Sequence, residues 1–172
     1  HGSHHWQLLP LYARLSQDQQ HRVFQNFAQK RKIVVATNIA ETSITIPGIN
    51  FVIDSGLAKI SSYNTRTITS ALTEKPIARS SCHQRRGRAG RTGPGVCYRL
   101  YSEQSHQERS LFEVEEINRT DLSEVILRMA EIGISQFENF DFITSPGRAR
   151  ITNAVESLGA LGALDLDRRL TE

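Results

Sequence analysis

Cysteine is scarce in this sequence. Cys82 and Cys97 are the only two, and they do not form a C-x-x-C pair. The six histidines show no metal-ligand spacing around them. A reduced, cytoplasmic chain is the simplest reading. No apolar run approaches the roughly 20 residues that a membrane-spanning helix needs, and no signal peptide is visible. Internal repeats and low-complexity segments are missing too. No G-x-x-x-x-G-K-[ST] occurs, so the chain has no phosphate loop to cradle a triphosphate. No Asp-Glu-x-His follows a strand, so a magnesium-binding carboxylate pair is also lacking. A strong charge bias is absent as well: 21 Lys and Arg against 18 Asp and Glu leave a net +3. With so small a sum, the placement of the charges matters more than their total.

What is present fits one full domain and a small appendage within 172 residues. Residues 1–5, His1-Gly2-Ser3-His4-His5, read as the remnant of a purification tag and are set aside. Residues 8–15 are apolar and end a short strand before a turn. Ser16 then opens a helix, and Gln19 three residues on completes a capping box. Val23, Phe24 and Phe27 follow at helical spacing. The helix is expected to end near Lys30-Arg31-Lys32, where cations suit the negative end of the helix dipole.

Three short apolar runs read as buried strands of a parallel sheet: Ile33 to Thr37, Phe51 to Asp54 and Val96 to Tyr101. Helical candidates fall between or before them, and that alternation argues for an α/β sandwich. Residues 58–72 are rich in Ser, Thr, Ile and Tyr and read as a β-hairpin. Both its faces are largely polar, so it is expected to project from the body. Beyond Asn118 the pattern turns helical. Leu122, Val125, Ile126, Met129 and Ile132 form one stripe, stopped by Gly133. Ser145-Pro146 reads as a helix start. Ile151, Ala154, Val155, Leu158 and Leu161 form a second stripe, ended by Gly162. Residues 164–170 alternate as a small hairpin would. Two helices and a hairpin suit a winged helix. The expected division is residues 6–118 for the α/β domain and 119–172 for the smaller one.

Two segments carry chemistry. The first is Gln84-Arg85-Arg86-Gly87-Arg88-Ala89-Gly90-Arg91. On a helix Gln84, Arg88 and Arg91 share a face, and Gly87, Ala89 and Gly90 let another surface approach closely. A glutamine and two guanidinium forks are what the end of a triphosphate requires, because guanidinium groups neutralise charge that spreads over phosphoryl oxygens. The same arginines also fit a plain basic patch, but the Q-R-x-G-R-x-G-R spacing favours the phosphate. The second segment, Thr37-Asn38-Ile39-Ala40-Glu41-Thr42-Ser43, directly follows a strand. Ligands gather at the carboxyl ends of strands in open α/β sheets, and hydroxyl and amide groups there hold phosphate and sugar oxygens without reading bases. A polar loop in which Thr37 or Asn38 merely caps a helix fits equally well.

At these segments the sequence closely resembles the DEAH helicases of superfamily 2, including their bacterial HrpA-like branch. Residues 35–45, Val35-Ala36-Thr37-Asn38-Ile39-Ala40-Glu41-Thr42-Ser43-Ile44-Thr45, look like motif V, and Gln84 to Arg91 look like motif VI. Leu9-Pro10-Leu11-Tyr12 and the helix through Arg22-Val23-Phe24 are similar to the region after motif IV. The hairpin and the helical region from Asn118 match in position, so the resemblance covers nearly the whole chain beyond residue 5.

The resemblance implies a RecA-like second motor domain, truncated at its start, followed by a partial winged-helix domain. It implies that Gln84, Arg88 and Arg91 contact ATP phosphates, with Arg88 or Arg91 as the arginine finger. Ser43 would lie near the γ-phosphate, Thr45 near the ribose and Phe24 against the adenine, although an aromatic on an apolar helix face also reads as core. Thr37, Asn38 and Thr42 would hold the nucleic-acid backbone, and Lys59, Tyr63 and Arg66 of the hairpin would meet a phosphate or base. Pro47 stands where many eukaryotic relatives carry an aspartate. The implied ligands are ATP with Mg2+ and RNA, or possibly DNA. The implied partners are a first RecA-like domain and downstream domains of the same protein. A non-enzymatic nucleic-acid or protein binding module and a remodelling translocase that does not unwind are the competing readings. In this family the phosphate loop and the Asp-Glu-x-His belong to the first motor domain. The chain by itself is therefore expected to hydrolyse ATP no faster than background. Clear magnesium-dependent phosphate release by the pure chain would overturn that expectation.

Overall fold

A computed structural model of the chain describes residues 5–27, 30–42, 44–64, 67 and 69–171. The expected positions Ser43 and Arg66 lie outside the described residues. Among the described residues no helix is long and apolar enough to cross a membrane. The chain divides into two compact units, His1–Ala58 with Glu74–Glu113 and Lys59–Thr73 with Val114–Glu172.

The first unit opens with β1 (Trp6–Leu11). A turn closed by Leu15 N–H to the Tyr12 carbonyl (3.2 Å) leads to α1 (Gln17–His21). The capping box is present: Ser16 accepts from the Gln19 N–H, and the Gln19 side chain accepts from the Ser16 N–H. The helix is shorter than its sequence pattern predicts. After His21 it tightens into a 3₁₀ turn, Arg22–Phe24, and ends in extended backbone at Gln25. The Lys32 ammonium donates to the carbonyls of Val23 (2.8 Å) and Gln25 (3.2 Å). The basic run therefore does meet the helix's negative end, but from the start of the next strand.

That strand, β2 (Arg31–Ala36), pairs in parallel with β1, Leu9 opposite Val34 and Leu11 opposite Ala36. Leu9, Leu11 and Val23 form the local core, with Phe27, Val34, Ile39, Ala40, Ile44 and Ile46 packed against it. A second parallel pair joins β3 (Phe51–Asp54) to a later strand, β6 (Val96–Arg99). Between them lie β4 (Leu57–Asn64) and its neighbour β5 (Thr69–Pro76), then α2 (Arg79–Ala89). α3 (Glu103–Glu108) closes the unit, with Ser102 as its side-chain cap.

The architecture is α/β with parallel strands, as expected, but the three apolar runs are not buried on both sides. Val35 is 61% exposed, Phe51 64% and Ile53 73%. A strand has two faces. Here the alternate residues Leu9, Leu11 and Asp54 are buried while the other face is open. A continuous apolar run records that both faces can be covered; it does not say that the same chain covers them.

In the second unit the hairpin is anchored, contrary to the projecting arm the polar faces predict. The Tyr63 N–H donates to the Arg119 carbonyl (2.8 Å), and Arg119 Nη1 donates to the Ser61 carbonyl (3.4 Å). The hairpin contributes only backbone groups to the two bonds, so the polarity of its side chains gave no sign of them. α4 (Ser123–Glu131) and α5 (Arg148–Ala160) supply the core: Leu122, Ile126 and Met129 meet Ile151, Ala154, Leu158, Leu164 and Phe137. Ile132 and Leu161, at the ends of the two stripes, are exposed. α5 starts later than Ser145-Pro146 predicts. Gly147, at φ 82°, is its N-cap, and Ser145 Oγ accepts from the Gly147 N–H (3.3 Å). The terminal alternation yields one antiparallel bridge, Leu164 to Leu170.

Gly95 sets the spacing between α2 and β6. A Cβ there would lie 2.1 Å from the Ala89 carbonyl oxygen and 2.7 Å from that of Asn50. Both obstacles are backbone and cannot rotate away. Gly95→Ala is expected to cost about 1–3 kcal/mol, in the range of an overpacked core. Urea unfolding of the variant would show it, and an unchanged midpoint would contradict the packing described.

Candidate nucleotide and nucleic-acid site

α2 carries the Gln84–Arg91 segment, and its start is capped from a distance. Ala78 occupies the N-cap and has no side-chain acceptor. The Glu113 carboxylate takes the Ala78 N–H instead (2.6 Å). The Arg79 and Ser80 N–H groups donate to the carbonyls of Ser110 and Leu111, at 2.8 and 3.0 Å. Three donors of the first turn are thus satisfied by residues about thirty positions downstream, and the carboxylate suits the positive end of the helix dipole. Cys82 and Ala89 face inward and are buried.

Gln84 and Arg88 sit one turn apart on α2, with Gln84 exposed and Arg88 half-buried. Arg91 does not continue the helical face. The helix ends at Ala89, Gly90 is the C-cap, and Arg91 lies in the bend beyond. Glycine has low helix propensity, and Gly90 directly follows Ala89 as the C-cap, so the helix stops before the last arginine. Arg91 is exposed. Open space surrounds Gly87 and Gly90, where an added Cβ would meet nothing.

The Thr37–Ser43 segment leaves β2 at its carboxyl end. Thr37 is the N-cap of a 3₁₀ turn, Asn38–Glu41, and makes no side-chain capping hydrogen bond. Capping by Thr37 therefore does not account for this hydroxyl. Thr37, Asn38, Thr42 and Thr45 are all exposed. Phe24 is also exposed, at 41%, with the His21 ring edge-on at 5.9 Å. It is not a core residue, although its apolar spacing fits one.

The two segments meet. Arg88 Nη1 donates to the Ile44 carbonyl (2.7 Å), and Arg88 Nη2 donates to the Glu41 carbonyl. Arg85 makes the deeper connection. Its Nε and Nη2 lie 2.7 and 2.6 Å from Glu41 Oε1, and its Nη1 lies 2.8 Å from Asp54 Oδ1. The Asp54 side chain is fully buried. It also accepts from the Gly56 N–H (2.9 Å) and the Tyr101 hydroxyl (2.8 Å). Burial works against the charge of Arg85, and the hydrogen bonds to Asp54 and Glu41 outweigh it and hold its pKa above the ordinary value. Sequence reading did not single out Arg85, Glu41 or Asp54. The available signal was a carboxylate closing the apolar run Phe51-Val52-Ile53-Asp54, which demands a buried partner.

Arg88 differs from Arg85. Burial first, and then the positive charge of Arg91, push its pKa below the ordinary value. Two guanidinium groups near enough to repel, one of them held only by neutral carbonyls, make a place where an anion is favourable. Phe24, Thr37, Asn38, Thr42, Thr45, Gln84, Arg88 and Arg91 all belong to the first unit, whereas Lys59 and Tyr63 belong to the second. Lys59 is exposed and Tyr63 half-buried.

The arginine helix and the polar strand-end turn are thus joined within one α/β unit. Residues 2–93 match the model of the helicase conserved C-terminal domain. The chain is 50% identical over 166 residues to the ATP-dependent RNA helicase HrpA of Borreliella burgdorferi, covering 96% of the chain and 20% of that protein. It is 47% identical over 165 residues to HrpA of Escherichia coli, covering 96% and 13%. The crystal structure of the Escherichia coli DEAH/RHA helicase HrpB superimposes with a TM-score of 0.86 at 33% identity, covering 95% of this chain and 21% of that one. The chain belongs to the helicase C-terminal domain family and is similar to DEAH-type helicases along almost all its length. It spans a fifth or less of the HrpA relatives it matches.

The Asp54 carboxylate is satisfied by Arg85, Tyr101 and a backbone N–H together. Asp54→Asn leaves Arg85 with one carboxylate and turns an amide toward a donor. Breaking a buried pair in this way costs about 3–5 kcal/mol. Chemical denaturation of the variant should show a loss of that order, and a loss under about 1 kcal/mol would mean that the pair behaves as a surface one.

Proposed function

We propose that this chain is the second motor half of an ATP-dependent DEAH-type RNA helicase, followed by winged-helix sequence in residues 119–172. The observation that carries the reading is the joining of the arginine helix to the strand-end turn through Arg88 and Arg85 in one compact unit. A plain binding surface has no need for phosphate-directed arginines fastened to the turn that grips the strand. α4, α5 and the Leu164 to Leu170 bridge support the winged helix.

In this reading Gln84, Arg88 and Arg91 reach the triphosphate across a cleft from the first motor domain. Arg91 is the finger, because it lies exposed beyond the helix end. Arg88 assists once a phosphate draws it from its carbonyls. The γ-phosphate is assigned to Ser43, the ribose to Thr45 and the base to Phe24. Thr37, Asn38 and Thr42 hold the backbone of RNA, or of DNA. Lys59, Tyr63 and Arg66 of the hairpin meet the strand, and an aromatic contact there is worth about 1–3 kcal/mol per base whatever its sequence. Mg2+ is assigned to carboxylates of the first motor domain, because no Asp-Glu-x-His follows a strand in this sequence. The protein works in the cytoplasm, coupling ATP hydrolysis to movement along RNA and strand separation.

The test uses the full-length helicase. Arg91→Ala should lower ATP turnover by about 10³–10⁵-fold while oligonucleotide affinity stays close to normal. Turnover near the normal rate would remove the finger from Arg91. A wild-type protein that binds RNA but neither turns over ATP nor unwinds would favour a binding module.

A further inference from the structure

Arg85 belongs to the same segment as the phosphate-directed arginines, yet it points the other way. Its side chain is 15% exposed, and that of Glu41 is 11%. Three guanidinium nitrogens are engaged at once: Nε and Nη2 on Glu41, Nη1 on Asp54, with Nη2 also donating to the Leu57 carbonyl at 3.1 Å. Glu41 is the last residue of the 3₁₀ turn that begins at Asn38. Asp54 is the last residue of β3. One planar side chain therefore fastens the turn to the helix and both of them to the sheet.

We propose that Arg85 is a positioning residue that couples the nucleotide end of this unit to its nucleic-acid end through Glu41. This rests on the motor reading above. The Arg88 contacts to the carbonyls of Glu41 and Ile44 are made with neutral acceptors, and a phosphate can take Arg88 away from them. The Arg85–Glu41 pair is a buried charge pair in which the guanidinium already has carboxylate partners. It holds while Arg88 changes acceptor. When a phosphate draws Arg88 off the turn, the Arg85–Glu41 pair keeps Asn38 and Thr42 in register with α2 instead of letting the turn come loose.

The test measures linkage in the full-length helicase. Single-stranded RNA affinity is read by fluorescence anisotropy with and without a non-hydrolysable ATP analogue and magnesium. A coupled wild type shows a ratio of about 5–150-fold between the two affinities. Arg85→Lys keeps the cation but loses the planar fork, and the ratio should fall to within about twofold of unity, against that coupled range, while RNA still binds. A purely structural role lowers the thermal midpoint and weakens both ligands alike, so it leaves the ratio unchanged. A folded Arg85→Lys protein that keeps the wild-type ratio overturns the proposal and leaves the motor reading standing. A wild type with no ratio overturns the motor reading and the proposal with it. Should Arg85→Lys fail to fold, the decision passes to Glu41→Gln, which keeps the side-chain shape and one acceptor oxygen and is read by the same ratio.

Discussion

A carboxylate removed from water loses several kcal/mol of solvation even after the protein relaxes around it, and the Asp54 side chain is removed completely. Much of the first unit is arranged to compensate. Arg85 reaches it from α2, the Tyr101 hydroxyl from the segment after β6, and the Gly56 N–H from the turn after β3. Burial, and then the hydrogen bonds with Cys82 and Asp54, keep the Tyr101 phenol above its ordinary pKa, so it remains a donor. Gly56 sits at φ 70°, and a Cβ there would strike the Tyr101 ring and the Arg109 fork. Three separate stretches of chain therefore converge on one side chain. The turn bearing Asn38 joins them because Glu41 shares the same guanidinium.

Arg85, Arg88 and Arg91, three of the arginines in α2 and just beyond it, show how one residue type takes different roles from position alone. Arg85 faces the core and finds two carboxylates. Arg88 is three residues on, half-buried, and finds only backbone carbonyls. Arg91 falls beyond Gly90 and faces solvent. The net +3 of the whole chain carries none of this information. The electrostatic feature of the site is local: two neighbouring guanidinium groups, Arg88 and Arg91, with neither held by a carboxylate in the way Arg85 is.

Regular patterns were legible where they were local. The capping box at Ser16 and Gln19, the β-branched strand runs and the apolar stripes of α4 and α5 each rest on neighbours within a few residues. Features with distant causes were not. α1 gives way to a 3₁₀ turn after His21, and the carbonyls of Val23 and Gln25 are taken by Lys32 from the next strand. α2 begins without a capping side chain of its own because Glu113 supplies one from 35 residues away. Phe137 is completely buried but stands in a 3₁₀ turn, outside both helical stripes. The site divided in the same way. Spacing picked out Gln84, Arg88 and Arg91, whereas the partners of Arg85 lie 44 and 31 residues off. The open strand faces at Val35, Phe51 and Ile53 follow the same logic, because composition shows that a residue suits burial and not what covers it.

The contrast between Arg85 and Arg88 also explains why a phosphate would rearrange one and spare the other. Hydrogen bonds to an ionised acceptor are about twice as strong as those to a neutral one. Arg88 exchanges two neutral carbonyls for a charged oxygen and gains. That gain is larger because burial and Arg91 disfavour its charge beforehand. Arg85 already holds two carboxylates, so the same exchange offers it nothing and would leave Asp54 buried without its cation. Acceptor charge therefore sorts the two side chains into a movable contact and a fixed one. The proposed function, a response to nucleotide that does not loosen the turn bearing Asn38, needs both kinds. In this chain they occupy consecutive turns of a single helix.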